Sequence, residues 1–265
     1  MTSATEQKIS VEQRGHILLI GLNRPAKRNA FDVQMLEELA LAYTRLEDDN
    51  AVRCGVLFAE GEMFTAGLDL ANVAPKVIDG GILKYADGVV DPLNLQGNRS
   101  RTKPIVAAVH GKCLTLGIEL LLACDVRIAS EHATFAQIEI KRGIFPFGGA
   151  TIRFPEVAGW GNAMRWLLTG DEFDAKEALR IGLVQEIRPH GEHIEKAIEI
   201  AERIAKQAPL GVRATIESAR KSQTEGFSKA VEHLTPQILG LFKSEDAKEG
   251  VRSFIERRDG NFSGK

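Results

Sequence analysis

The sequence predicts an α/β protein: a core in which strands alternate with helices, followed by a helical C-terminal module. Two observations lead there. Short apolar runs alternate with helix-period segments up to about residue 187, and from His190 onward only the amphipathic helical period remains. Size supports the same class. With 265 residues, 44% apolar and 26% charged, the chain can bury a large core without disulfides or metal.

The elements follow in order. HILLIGL (16–22) reads as a buried strand that Asn23-Arg24-Pro25 ends. Asp32 caps a helix over about 33–48, where Met35, Leu36, Leu39 and Leu46 recur at helical spacing. VRCGVLFA (52–59) is a strand, and Gly61 to Leu70 is a loop of small residues that leads into a short helix. Residues 71–103 lack a clear period and read as a functional, mobile loop. PIVAAVHG (104–111) is a strand, LTLGIELLLACD (114–125) the start of a buried helix, DVRIAS a strand, and ATFAQIEI (133–140) a short strand-like run. Gly148-Gly149 opens a helical region to about 170, Asp174 caps a helix that Gly182 stops, and LVQEI (183–187) is the last strand. The helical tail is interrupted near Pro209, Gly226 and Pro236, which divides the chain into a core, 1–205, and a module, 206–265. No close internal sequence repeat is visible.

Composition excludes several function classes. The net charge is −2 with no long run of one sign, which argues against nucleic acid as a partner. The N-terminus MTSATEQKIS lacks a signal pattern, and the closest approach to a membrane span is broken by His110, Lys112, Glu119, Asp125 and Arg127. Cys54, Cys113 and Cys124 form no CxxC pair and read as buried thiols of a reducing, cytoplasmic compartment. There is no GxSxG, P-loop or GxGxxG after a strand, and no HExxH spacing among the histidines; His190 and His193 read as solvated surface.

Three points carry chemistry. Glu119 stands inside LTLGIELLLACD, where a carboxylate is costly unless bonded or protonated. It misses the capping-box register from Thr115 by one, since that position is Ile118; its plain structural alternative is a buried partner for Arg127 or for a backbone donor. In MFTAGLDL (63–70), Thr65-Ala66-Gly67 lets a ligand approach the backbone closely, and Asp69 is placed to cap the next helix. Gly117 repeats the theme, so two helix starts can aim two N–H donors at one oxygen. Glu139 lies in QIEIKRGIFPFGGA, its alternative being a solvent-facing strand residue paired with Lys141. Together the carboxylates and donors could hold a water against an activated alkene.

At these residues the chain resembles the crotonase superfamily, most closely its enoyl-CoA hydratases, over about residues 10–260. NRPAKRNAF is similar to the family's early turn, MFTAGLDL to its first oxyanion segment, HGKCLTLGIELLLACDVRIAS to its second, and IEIKRGIFPFGGA to its second-glutamate segment. The resemblance implies a spiral of repeated strand–strand–helix turns with a helical trimerisation module, in a homotrimer or dimer of trimers. It implies that Glu119 and Glu139 position one water, which attacks C3 of a 2-enoyl thioester, with Glu139 donating the proton to C2. The backbone N–H groups of Leu68 and Leu116 would form the oxyanion hole. Lys27, Arg28, Ala66, Gly67, Asp69, Gly117 and Phe147 make up the implied substrate and coenzyme A contacts, with Lys27 and Arg28 suited to phosphate oxygens as well as to a plain charged turn. No metal or separate cofactor is implied, because coenzyme A is part of the substrate. The chain departs from the hydratase pattern at Leu116 and Phe147, where those enzymes usually have glycine; the added side chains narrow or redirect the acyl pocket. Alternatives are an isomerase or other crotonase-type reaction, and a non-catalytic acyl-CoA-binding protein. Isomerases of the family commonly keep only the later glutamate.

Overall fold

The structure, a computed structural model, describes residues 7–80, 84–95 and 99–265. The first apolar run forms β2 (Ile17–Leu22), which pairs antiparallel with β1 (Ile9–Arg14). The sequence reading leaves β1 out because ISVEQR is an edge strand whose residues turn polar and exposed toward its end. β3 (Cys54–Ala59), β4 (Ile105–Val109), β6 (Val126–Ser130) and β9 (Glu186–Arg188) extend the sheet in parallel, in the order β1-β2-β3-β4-β6-β9. The inner strands are continuously apolar because both faces are covered. Leu18, Ile20, Leu22 and Leu57 join the main core with Met35, Leu39 and Leu46 of α1 (Val33–Asp48). Ile17, Leu19, Val56 and Val106 meet Ala197, Ile198 and Ala201 of α7 (Glu192–Ala205) on the other face. Each such Leu or Ile contributes about 1.5–3 kcal/mol on burial.

A second sheet, β5 (Lys112–Leu114), β7 (Thr134–Ala136) and β8 (Phe173–Asp174), is extended by a parallel bridge from Thr65 to Cys113. The chain thus repeats one turn: a strand of the large sheet, a shorter one of the small sheet, then a helix. β3 and Thr65 lead to α2 (Leu70–Ile78), and β4 and β5 lead to α3 (Leu116–Ala123). β6 and β7 lead to a 3₁₀ turn, Glu139–Arg142, and then α4 (Ala150–Ala158). The repetition lives in the backbone, not in residue identity. Its consequence is that the segments after Thr65, Leu114 and Ala136 leave the small sheet side by side.

Several expectations change. The strand-like run 133–140 is a strand only over Thr134–Ala136, and Glu139 opens a 3₁₀ turn. Residues 71–103 are not a patternless loop: α2 occupies their start, and Val90, Asp91 and Leu93 are buried. Residues 81–83 and 96–98 of that stretch, and most of the N-terminal segment, lie outside the described residues. The helical region after Gly149 splits at Gly159 into α4 and α5 (Trp160–Thr169). Asp174 caps α6 (Ala175–Arg180), its carboxylate accepting from Glu177 N at 2.8 Å.

The tail continues with α8 (Pro209–Glu225), α9 (Phe227–Leu241) and α10 (Glu245–Glu256). α9 runs through Pro236, which is exposed. Phe227, Val231, Leu234, Ile238 and Phe242 recur at helical spacing and are 45–77% exposed, an apolar stripe without a partner among the described residues. The three cysteines are free and buried. No helix among the described residues is long and apolar enough to cross a membrane. His193 is not solvated surface: it is 2% exposed, its ring centroid 5.2 Å from that of His110 and 5.9 Å from that of His190.

Candidate active site

The three segments that leave the small sheet line one cavity of about 190 Å³. Ala66, Leu68 and Leu70 come from the first turn, Thr115, Leu116 and Glu119 from the second, and Ile138, Glu139, Arg142, Ile144 and Phe147 from the third. Spacing along the chain does not bring them together; the parallel pairing of Thr65 with Cys113 and of Cys113 with Phe135 does.

Glu119 sits in the first turn of α3, 4% exposed. Its Oε1 accepts from Ala150 N, the first residue of α4, at 3.3 Å, so the N-terminus of α4 faces its carboxyl. Burial nevertheless pushes this carboxyl up to about 7, against the N–H groups of Ala150 and Gly148 and the charge of Arg153, which pull it down. Of its two structural alternatives, Arg127 is not the partner, since it donates to the carbonyls of Leu183 (2.6 Å) and Cys124 (2.9 Å), whereas a backbone donor is present in Ala150 N–H. Gly148 is pressed against Glu119. A Cβ there would stand 2.7 Å from Glu119 Cδ.

Glu139 is 8% exposed, and burial, together with the charge of Glu119, raises it to about 7, its own backbone N–H lowering it. It does not pair with Lys141, which reaches Asp171 at 3.6 Å. Gln137, fully buried, turns its amide nitrogen to Glu139, donating to Oε2 at 3.0 Å and to the Thr115 carbonyl at 3.3 Å. One amide thus ties the second carboxylate to the loop that opens α3.

The Leu68 and Leu116 N–H groups donate to no acceptor among the described residues. Leu116 is the first residue of α3, where an N–H lacks an intrahelical partner. On the other strand of the turn, Gly67 has φ 91°, and a Cβ there would overlap Thr115 Oγ1. Only glycine lets the two segments approach this closely. Thr115 itself has φ 51° and ψ −114°, a conformation that favours glycine and costs a β-branched residue on the order of 1–3 kcal/mol. That strain sits next to the Leu116 N–H.

The structure therefore brings Ala66, Leu68, Leu116, Glu119, Glu139 and Phe147 to one cavity, with Leu116 and Phe147 taking space in it. It does not bring all the sequence-predicted residues there. The Asp69 side chain caps nothing and pairs with Arg24 at 3.1 Å. Gly117 faces Thr65 and Cys113, 2.6 and 2.8 Å from an added Cβ, and serves the packing of the turn. Lys27 and Arg28 are exposed outside the cavity, Arg28 on a separate hollow with Pro25, Asn29 and Glu60. The sequence reading missed Gln137, Gly148, Thr115 and Arg142. Gln137, two residues before Glu139 in an apolar run, carried a readable signal as a buried amide; the others carried none. No group of three or more His, Cys, Asp or Glu among the described residues is placed to hold a metal.

The chain is 37% identical to an enoyl-CoA hydratase of Mycobacterium tuberculosis over 95% of both chains. It is 30% identical to the 2,3-dehydroadipyl-CoA hydratase of Escherichia coli, covering 97% of this chain and 99% of that one. The crystal structure of a probable enoyl-CoA hydratase/isomerase from Mycobacterium abscessus superposes with a TM-score of 0.94 at 56% identity, covering 97% of this chain and 99% of that one. The family model described as Enoyl-CoA hydratase/isomerase matches residues 12–265, and the chain belongs to that family.

Proposed function

We propose that the chain is an enzyme that hydrates a 2-enoyl-CoA thioester to the 3-hydroxyacyl-CoA. The observation that carries this reading is two buried carboxyls, both raised to about 7, on one apolar cavity beside two unengaged N–H groups. The thioester oxygen accepts from Leu68 and Leu116 N–H, which stabilise the enolate as it forms. A water held between Glu119 and Glu139 loses a proton to Glu119 as its oxygen adds to C3, and Glu139 delivers a proton to C2. Two carboxyls raised toward neutrality suit this work, because one can be ionised as base while the other is protonated as acid. Coenzyme A is part of the substrate, and no separate cofactor enters. Arg28 and Lys27, exposed outside the acyl cavity, are the groups this reading assigns to the phosphate oxygens.

Double-bond isomerisation, which the family also covers, needs one carboxyl to move a proton and leaves the other idle; two carboxyls on the cavity favour hydration. Relatives named for crotonyl-, 2,3-dehydroadipyl- and mevalonyl-coenzyme A substrates match at 30–34% identity, so the acyl group varies within the family. The exposed stripe on α9 supports a helical module, 206–265, that assembles copies into a trimer or dimer of trimers. Free buried thiols fit a cytoplasmic setting.

The test is hydration across crotonyl-, medium-chain and branched enoyl-CoAs, with Glu119→Gln and Glu139→Gln each expected to lower kcat by about 10²–10⁴-fold. A folded Glu119→Gln variant with intact hydration overturns the mechanism. Failure on the whole panel overturns the reading.

A further inference from the structure

We propose that Arg142 selects acyl groups that carry an anionic oxygen at the end away from the thioester. This rests on the reading of the cavity as an acyl-CoA site and adds the class of acyl group it prefers.

Arg142 closes the 3₁₀ turn that Glu139 opens, and residues three apart in such a turn lie on the same side. It lines the same cavity as the two glutamates. Its guanidinium forms no ion pair among the described residues, and its one hydrogen bond is a 3.5 Å contact to the Lys141 carbonyl. The neighbouring cations are engaged. Lys141 reaches Asp171 at 3.6 Å, and Arg153 donates to the carbonyls of Leu93 (2.7 Å) and Asn94 (3.1 Å).

Apart from Thr115 and the two glutamates, the other side chains that line this cavity are apolar, among them Leu70, Ile138, Ile144 and Phe147. The cavity has room for roughly six groups the size of a water molecule. Arg142 is exposed, so beside a short hydrocarbon tail its guanidinium stays in water and adds nothing to binding. A tail ending in a carboxylate fills the same volume and pairs with the planar donor fork. The phosphates of coenzyme A are the other anionic part of the substrate, but Arg28 stands on its own hollow outside this cavity.

The test compares two saturated, unreactive thioesters of equal length, hexanoyl-CoA and adipoyl-CoA, by titration calorimetry on the full chain. The wild type is expected to bind adipoyl-CoA about tenfold more tightly, the size of one charge-assisted contact. Arg142→Met keeps the stem but not the charge, and it should remove the preference by weakening adipoyl-CoA alone. Arg142→Lys should keep part of it. In turnover, Arg142→Met should raise KM for 2,3-dehydroadipyl-CoA by more than it raises KM for 2-hexenoyl-CoA, with kcat for the two changed alike. Equal binding of the two thioesters by the wild type overturns the proposal. So does an equal loss for both in Arg142→Met, which assigns the residue to the coenzyme A phosphates. A preference for adipoyl-CoA without hydration of any enoyl-CoA would instead remove the hydratase reading and leave the specificity standing.

Discussion

Gly148→Ala probes the contact that fixes Glu119. Gly148 is not among the residues with left-handed backbone, so alanine suits its conformation and the substitution acts through space alone. The new Cβ would lie 2.7 Å from Glu119 Cδ and closer still to Oε2. Ordinary contact begins near 3.4 Å, so the carboxyl must retreat by roughly 1 Å, stretching its bonds from Gly148 and Ala150 N–H. Overpacking of this kind costs about 1–3 kcal/mol of stability. The kinetic cost is proportionally larger, because a shift near 1 Å in a catalytic group is worth on the order of 10²-fold. With any enoyl-CoA that the wild type turns over, kcat should fall by about 10–10²-fold with KM little changed. Thermal melting in parallel reports the stability loss. Gly161→Ala on α5, whose Cβ meets nothing within 4 Å, is the control and should keep full activity. A folded Gly148→Ala variant with wild-type kcat would refute the claim that this glycine positions the carboxyl.

Two pH effects follow from the buried titrating groups. Glu119 keeps its proton up to about 7 when folded, against 4.5 when unfolded, so its contribution is fully present below pH 4.5 and is lost as pH rises through 7, costing about 3 kcal/mol above that. Glu119→Gln should therefore be more stable than the wild type by about 1–3 kcal/mol at pH 8, with the gain vanishing near pH 4 in chemical denaturation; a gain that does not change with pH would contradict the assigned cause. His193 has the opposite sign. Burial first, and then the charges of His110 and His190, lower it to about 4, so the unfolded chain takes up a proton below 6.5 that the folded chain refuses. Stability is lost as pH falls from 6.5 toward 4, about 2 kcal/mol by pH 5. His193→Leu should show a smaller drop in Tm between pH 7.5 and pH 5 than the wild type, and equal drops would sink the argument.

The chain's local order was legible because it is written locally. Leu39 and Leu46 at helical spacing mark α1, Asp32 marks its start, and the continuous apolar runs mark β2, β3 and β4 as strands covered on both faces. Glu119 was legible as an anomaly, since a charge among leucines has a cost that the sequence alone displays. Other features escaped because their cause is not local. Nothing in the sequence places Gly148 against Glu119, turns Gln137 toward both Glu139 and Thr115, or strains Thr115 into a glycine conformation. The surface reading of His193 failed for the same reason: its burial comes from His110, 83 positions earlier in the chain. By itself, then, the sequence determined which segments become strand or helix, and that a buried carboxylate needed explaining. The tertiary structure decided which residues share the cavity. Parallel pairing of Thr65, Cys113 and Phe135 sets three distant loops side by side, and burial among them, not residue type, is what raises both carboxyls toward neutrality.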